Sequence, residues 1–194
     1  MNSDFMLWIL TLLPIVISPG PANILYAASG SAFGVKKTIP FWFATNITSV
    51  FQTLAVGFGL SSLLLLYPNI NIFIKYLGIL FLLYLAYKFY YMSVSQTENL
   101  KPLSFKDGVI IELLNMKYLL IPTIMFSQFY TPSDGYIQIF ILSFSLLAMT
   151  LLSSMIWIVG GKQLSTFVQN EKMEKRQSLF FSILLLITAV WLSF

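Results

Sequence analysis

Six apolar segments recur along a chain of 194 residues, at about 5–28, 39–66, 70–92, 105–129, 136–160 and 178–194. Each has at least about 17 residues, enough to cross about 30 Å of hydrocarbon at about 1.5 Å per residue. In lipid such segments must be helical, because unpaired backbone amides find no water there. The connections are short, and the longest, 93–104 and 162–177, leave no room for an extramembrane domain. The pattern predicts an all-α polytopic membrane protein: six transmembrane helices in a single domain over 1–194.

Composition closes off the alternatives. Hydrophobic residues make up 58% and charged residues 9%, too few charges for a soluble globular domain or a disordered chain. A net charge of +4, scattered along the chain, is no footprint for nucleic acid. The chain has no Cys and no His. Disulfide scaffolds, thiol relays, common zinc sites and His-based acid–base catalysis are thereby excluded. No enzyme activity, metal or cofactor is expected, whereas permeation needs none of these.

The first segment begins Met1-Asn2-Ser3-Asp4 and lacks a basic leader region, so it reads as a retained helix rather than a cleaved signal. Nine of the eleven basic residues cluster in or beside the loops after helices 1, 3 and 5: Lys36, Lys37, Lys88, Lys101, Lys106, Lys162, Lys172, Lys175 and Arg176. The opposite side carries Asp4, Asp134 and Lys75, the last read as an interfacial anchor. The bias places those three loops in the cytoplasm and both termini outside. Six helices divide into 3+3, and a duplication of three would be an inverted repeat, a design that sets transporter sites near the midplane.

Pro19-Gly20-Pro21 is the sharpest local feature. Proline has no amide hydrogen, so Pro19 and Pro21 strand the carbonyls of Ile15 and Ile17 in a helix. The motif predicts a break in helix 1, with a new half-helix starting near Pro21. Its first amides, on Ala22 and Asn23, suit an anion. The stranded carbonyls suit an ammonium group, so the two ends together suit a small zwitterion. A packing kink is the plainer reading of the same motif.

Helix 2 carries a polar stripe of Thr45, Asn46, Thr48, Ser49, Gln52 and Thr53 on an arc of about 160°. Such a face belongs on a cavity or on neighbouring helices. Helix 5 has a weaker one, Ser143, Thr150, Ser154 and Trp157, which reads as helix packing with Trp157 at the cytoplasmic interface. In helix 4, Glu112 and Lys117 are ionisable residues within a span. They are separated by about 140° around a regular helix. Either residues 104–112 lie along the interface, or both charges face a wet cavity or a partner. Glu112 is the acidic candidate for proton binding inside a span.

At these residues the chain resembles the LysE/RhtB family of amino-acid exporters. The similarity is carried by Ser18-Pro19-Gly20-Pro21-Ala22-Asn23, Ala28-Ser29-Gly30, Phe33-Gly34, Lys75-Tyr76-Leu77-Gly78, Leu83-Tyr84-Leu85-Ala86-Tyr87-Lys88, Phe105, Gly108 and Leu114-Asn115-Met116-Lys117. Thr38-Ile39-Pro40 resembles the branch exporting cysteine and O-acetylserine. Where the family has Asn-Pro-Lys in helix 4, Met116 replaces the proline, so an unbroken helix 4 becomes allowed. The resemblance implies export of small amino acids or derivatives from a bacterial inner membrane, driven by the proton gradient. The expected substrate site comprises Pro19, Gly20, Pro21, Ala22, Asn23, Asn46, Gln52, Asn115 and Lys117, with Glu112 for proton coupling. The expected partners are a zwitterionic amino acid and the lipid bilayer, with a homodimer left open. A passive channel or a non-transporting membrane partner protein are the rival readings.

Overall fold

The structure is a computed structural model describing residues 2–60, 68–94, 101–130, 133, 135–166 and 171–193. Residue Asp134 and the side chains of Asp4, Lys75 and Lys172 lie outside what is described, and with them the anchor reading of Lys75. Seven helices and no strand are found among the described residues: α1 (Asn2–Ile17), α2 (Pro21–Ala55), α3 (Pro68–Val94), α4 (Phe105–Leu113), α5 (Met116–Phe129), α6 (Gly135–Thr166) and α7 (Glu171–Ser193). A wide helical turn, Val56–Leu60, extends α2.

The helix α2 is a folded hairpin. Gly34 adopts φ 76°, ψ 171°, a conformation open in practice to glycine alone. The chain reverses there. Ser29 Oγ and Thr38 Oγ1 lie 3.0 Å apart, although nine residues of straight helix would span about 13 Å. The Tyr26 ring meets Phe41 at 5.3 Å between centroids, and its hydroxyl is hydrogen-bonded to Thr45. Residues 21–33 and 35–55 are therefore two antiparallel arms. The first apolar segment thus runs to residue 33 rather than 28, and its connection shrinks to a single glycine.

Two bent pairs follow from chain breaks. The pair α1 and α2 is bent by 60° across Ser18–Gly20, and α4 and α5 by 56° across Leu114–Asn115. By length and composition α6 is long and apolar enough to cross a membrane, and each bent pair qualifies if counted as one span. The first break has about 20 Å of helix on either side, and the second about 15 Å and about 21 Å.

Glycines set how closely these helices approach. A Cβ on Gly161 of α6 would sit 2.0 Å from the Ala27 carbonyl oxygen, and one on Gly30 would sit 2.3 Å from that of Ile158. The first arm of α2 and α6 therefore touch backbone to backbone, as small residues allow in membranes. A Cβ on Gly108 of α4 would fall 2.7 Å from the Phe41 carbonyl oxygen in the second arm. So α4 lies packed against the second arm of α2. Elsewhere α3 pairs with α7, where Ser182 Oγ donates to the Ala86 carbonyl at 2.7 Å.

The buried apolar residues form two cores. One joins Ala22 and Ile24–Ala28 to Phe41, Leu82, Leu85, Phe89, Ile111, Ile158 and Leu185. The other joins Trp8, Leu12 and Val16 to Val56, Ile121, Met125, Ile139, Leu146 and Met149. Four segments pass from one core to the other, and each turns polar between them.

Candidate functional site

The polar belt between the cores is built from those four segments. In the first it holds Ser18–Pro21 and Asn23. In the second arm of α2 it holds Thr45 to Thr53, in the α4–α5 break Glu112, Asn115 and Lys117, and in α6 Thr150, Ser153 and Ser154. Asn23, Gln52, Glu112 and Asn115 are all buried, Glu112 at 1% exposure.

The carbonyls at the end of α1 are the first surprise. Sequence logic leaves those of Ile15 and Ile17 free for a ligand, but the protein fills them itself. Ser18 Oγ donates to Ile15 O at 2.7 Å, and Trp157 Nε1 donates to Ile17 O at 3.1 Å. Asn23 Nδ2 reaches Val16 O at 3.0 Å and Ser18 O at 2.9 Å. Lys117 Nζ reaches the same two oxygens, at 3.2 and 2.7 Å. The stranded carbonyls of Ile15 and Ile17 are thus each met by a donor of the protein, and the Trp157 indole closes the break from α6. The Lys117 stem crosses Gly20, where a Cβ would stand 3.0 Å from Lys117 Cδ. Gly20 itself is extended, with φ −162° and ψ 173°, and Pro21 opens the next helix as expected. The amides of Ala22 and Asn23 stand in the first turn, where no intrahelical acceptor exists.

The α4–α5 break occurs without the family's proline. Leu114 and Asn115 leave helical geometry, with Asn115 at φ −87°, ψ 95°. Tertiary bonds replace the missing ring. Gln52 Nε2 takes the Glu112 carbonyl at 3.1 Å, and Lys117 is drawn across to α1. Each charge sits at the unfavourable end of its own helix, Glu112 at a C-terminus and Lys117 at an N-terminus. For Lys117 the C-terminal carbonyls of α1 provide the compensation.

The Glu112 carboxylate has no such bond. Both its oxygens are buried without a hydrogen-bond partner. Asn115 lies beside it with no hydrogen bond of ordinary geometry, and Lys117 supplies the nearby positive charge. Tyr26 and Tyr118 are both close enough to feel its field. Asn23 Oδ1 and Gln52 Oε1 are also buried without partners. A buried polar atom left unpaired costs about 1–3 kcal/mol, so this concentration is costly for a merely structural layer.

Not every expected residue joins this group. The stripe on helix 2 divides into two faces. Phe41 and Gln52 meet α4, and Thr45 and Thr48 fall on the same face of the helix. Trp42, Asn46, Ser49 and Thr53 look toward α6, where Trp42 Nε1 donates to Ser154 Oγ at 2.8 Å. Asn46 Nδ2 is spent on its own helix, at 2.7 Å from Trp42 O. The Ser154–Trp42 bond and the burial of Ser143 and Thr150 agree with helix packing in α6. Tyr26 and Tyr118 belong to the site and were not singled out beforehand. For Tyr26 a signal existed, since it follows Asn23 by three residues and shares its helix face. Among the described residues, no group of three or more Asp, Glu, His or Cys side chains comes together to hold a metal.

The belt thus joins two interrupted helices around buried, unsatisfied polar groups, with apolar cores on both sides. Comparisons with curated proteins and with solved structures give no match. The model of the LysE type translocator family matches residues 13–194, nearly the whole chain. The chain therefore belongs to the LysE type translocator family, a family of transporters of amino acids or related compounds and not of enzymes.

Proposed function

We propose that this protein is a secondary-active, proton-coupled exporter of small amino acids or their derivatives in a bacterial inner membrane. Its six membrane spans, two of them made of bent helix pairs, run with both termini outside. The observation that carries the reading is the cluster of unpartnered buried atoms on Asn23, Gln52 and Glu112 between two broken helices. The substrate binds in the polar belt beside Gly20 and the amides of Ala22 and Asn23, with Pro19 and Pro21 holding the break open. Gln52 and Asn115 add hydrogen bonds from the facing side. Glu112 carries the coupled proton or meets the substrate ammonium. Lys117 holds the end of α1, and Asn46 supports the second arm of α2. The two halves, 3+3 and inverted, rock about the belt so that one apolar core opens while the other stays closed.

Those two cores disfavour a passive channel, which needs a continuous wet path. The unpaired atoms disfavour a pure interaction protein, whose polar groups would be consumed as interhelical bonds. The branch for cysteine and O-acetylserine is the first substrate class to try.

Efflux from proteoliposomes with an imposed pH gradient tests the reading. Saturable amino-acid flux that follows the gradient is expected. Unsaturable flux indifferent to the gradient would establish a channel, and no flux a partner protein. Glu112→Gln is expected to abolish gradient-driven flux while the protein still inserts. Undiminished flux in that variant removes Glu112 from coupling.

A further inference from the structure

The unpartnered atoms have a polarity, and the polarity is fixed by their bonded halves. Asn23 presents its Nδ2 to two backbone carbonyls, of Val16 and Ser18. Carbonyls only accept, so the amide cannot be turned, and Oδ1 is the end left unpartnered. Gln52 presents its Nε2 to the Glu112 carbonyl, so its Oε1 is fixed in the same way. Both of these oxygens are buried and unpartnered, as are both oxygens of the Glu112 carboxylate. With Glu112 ionised, these three side chains therefore offer four unpartnered acceptor oxygens against one free donor, the second N–H of Gln52 Nε2. The Asn115 amide beside Glu112 is the adaptable member, with neither end committed.

The nearest ammonium of the protein, Lys117 Nζ, spends two of its three N–H groups on Val16 O and Ser18 O and makes no hydrogen bond to these oxygens. For the other end of a zwitterion the site is weaker. It offers the amides of Ala22 and Asn23, which carry only the partial charge of a helix start. The strongest unmet demand is for a compact positive donor, and a primary ammonium brings three N–H groups to three acceptor side chains.

We propose that the site reads its substrate through a free primary amine, with the carboxylate a secondary feature, so that amino alcohols and other small primary amines are ligands while N-acylated amino acids and hydroxy acids are not. This rests on the belt being the substrate site. It narrows the substrate class from small amino acids and derivatives to those retaining an unmodified amine. A desolvated monovalent metal ion would satisfy the same oxygens, so sodium is an arm of the test.

The test uses the full chain in detergent, with ligand-induced thermal stabilisation as the readout. The panel holds small neutral amino acids, the amino alcohols made by reducing their carboxyl groups, their N-acetyl forms, the matching hydroxy acids, and sodium chloride alone. Amino acids and amino alcohols are expected to bind within about tenfold of each other, and the N-acetyl and hydroxy compounds about 100-fold more weakly. Glu112→Gln, which adds donors to the cage, is expected to erase that preference.

The proposal is overturned if N-acetyl or hydroxy acids bind as well as amino acids. It is also overturned if amino alcohols lose more affinity than hydroxy acids do, or if sodium alone stabilises the protein and amines do not. A panel with no binder, together with no efflux in liposomes, overturns the transport reading as well. Amino-acid efflux that hydroxy acids compete for equally overturns only the amine proposal.

Discussion

Adjacent glycines in α6 should respond to alanine with opposite signs. At Gly161 a new Cβ would meet the Ala27 carbonyl oxygen at 2.0 Å, against an ordinary contact of at least 3.4 Å. The obstacle is backbone on both sides, so no side chain can swing away. The two helices must part by about 1 Å, and a gap of that size forfeits a quarter to a half of each contact along the seam. Overpacking of this kind costs about 1–3 kcal/mol, and the upper end applies where nothing can yield. Replacing glycine by alanine within a helix returns about 1 kcal/mol. The net expectation for Gly161→Ala is about 2 kcal/mol of lost stability. At Gly160 an added Cβ meets nothing within 4 Å, so Gly160→Ala should gain about 1 kcal/mol from helix propensity alone. Thermal unfolding of the two purified variants in one detergent compares them directly. A Gly161→Ala variant as stable as its neighbour would refute the backbone-to-backbone seam between α2 and α6.

Trp157→Phe keeps the ring but removes the donor to Ile17 O, and should cost about 1–2 kcal/mol by leaving that carbonyl unpaired. Unchanged melting of the variant would show that the indole does not close the break. Gly34→Ala forces a side chain into a conformation reserved for glycine, and should cost about 1–3 kcal/mol, visible in the same unfolding assay. Replacing Pro19 and Pro21 together by Ala should straighten the first span and weaken the apparent affinity for substrate in efflux assays. An unaltered affinity would reduce the motif to a packing kink.

The first break was legible because its cause is local: two prolines flank a glycine, and no neighbour is needed to interrupt the helix. The second was not, because Met116 is compatible with a helix. It is broken by Gln52 from 60 residues earlier and by the pull of α1 on Lys117. Residue identity told which carbonyls Pro19 and Pro21 would strand, but not that Ser18 and Trp157 would cap them. A cap arriving from 140 residues away leaves no mark in local spacing. The polar stripe of helix 2 was visible as an arc, but its division into a face toward α4 and a face toward α6 depends on which helices flank it. The arc includes Asn46 among the candidate site residues, and the fold adds that its Nδ2 is bonded to the turn below. Burial of Glu112 is left open by its place in the chain, and the packing of Gly108 against Phe41 accompanies it in the fold.

The capping of α1 bears on the order of assembly. A growing chain that has delivered only α1 to α3 owns Ser18 and Asn23 but neither Lys117 nor Trp157. The Ile17 carbonyl then lacks its indole donor until α6 arrives, and the Glu112 backbone that engages Gln52 belongs to α4. Completion of the amino-terminal half thus waits on the carboxy-terminal half. Nascent chains halted midway would expose an unfinished polar seam to lipid, a ready mark for membrane quality control.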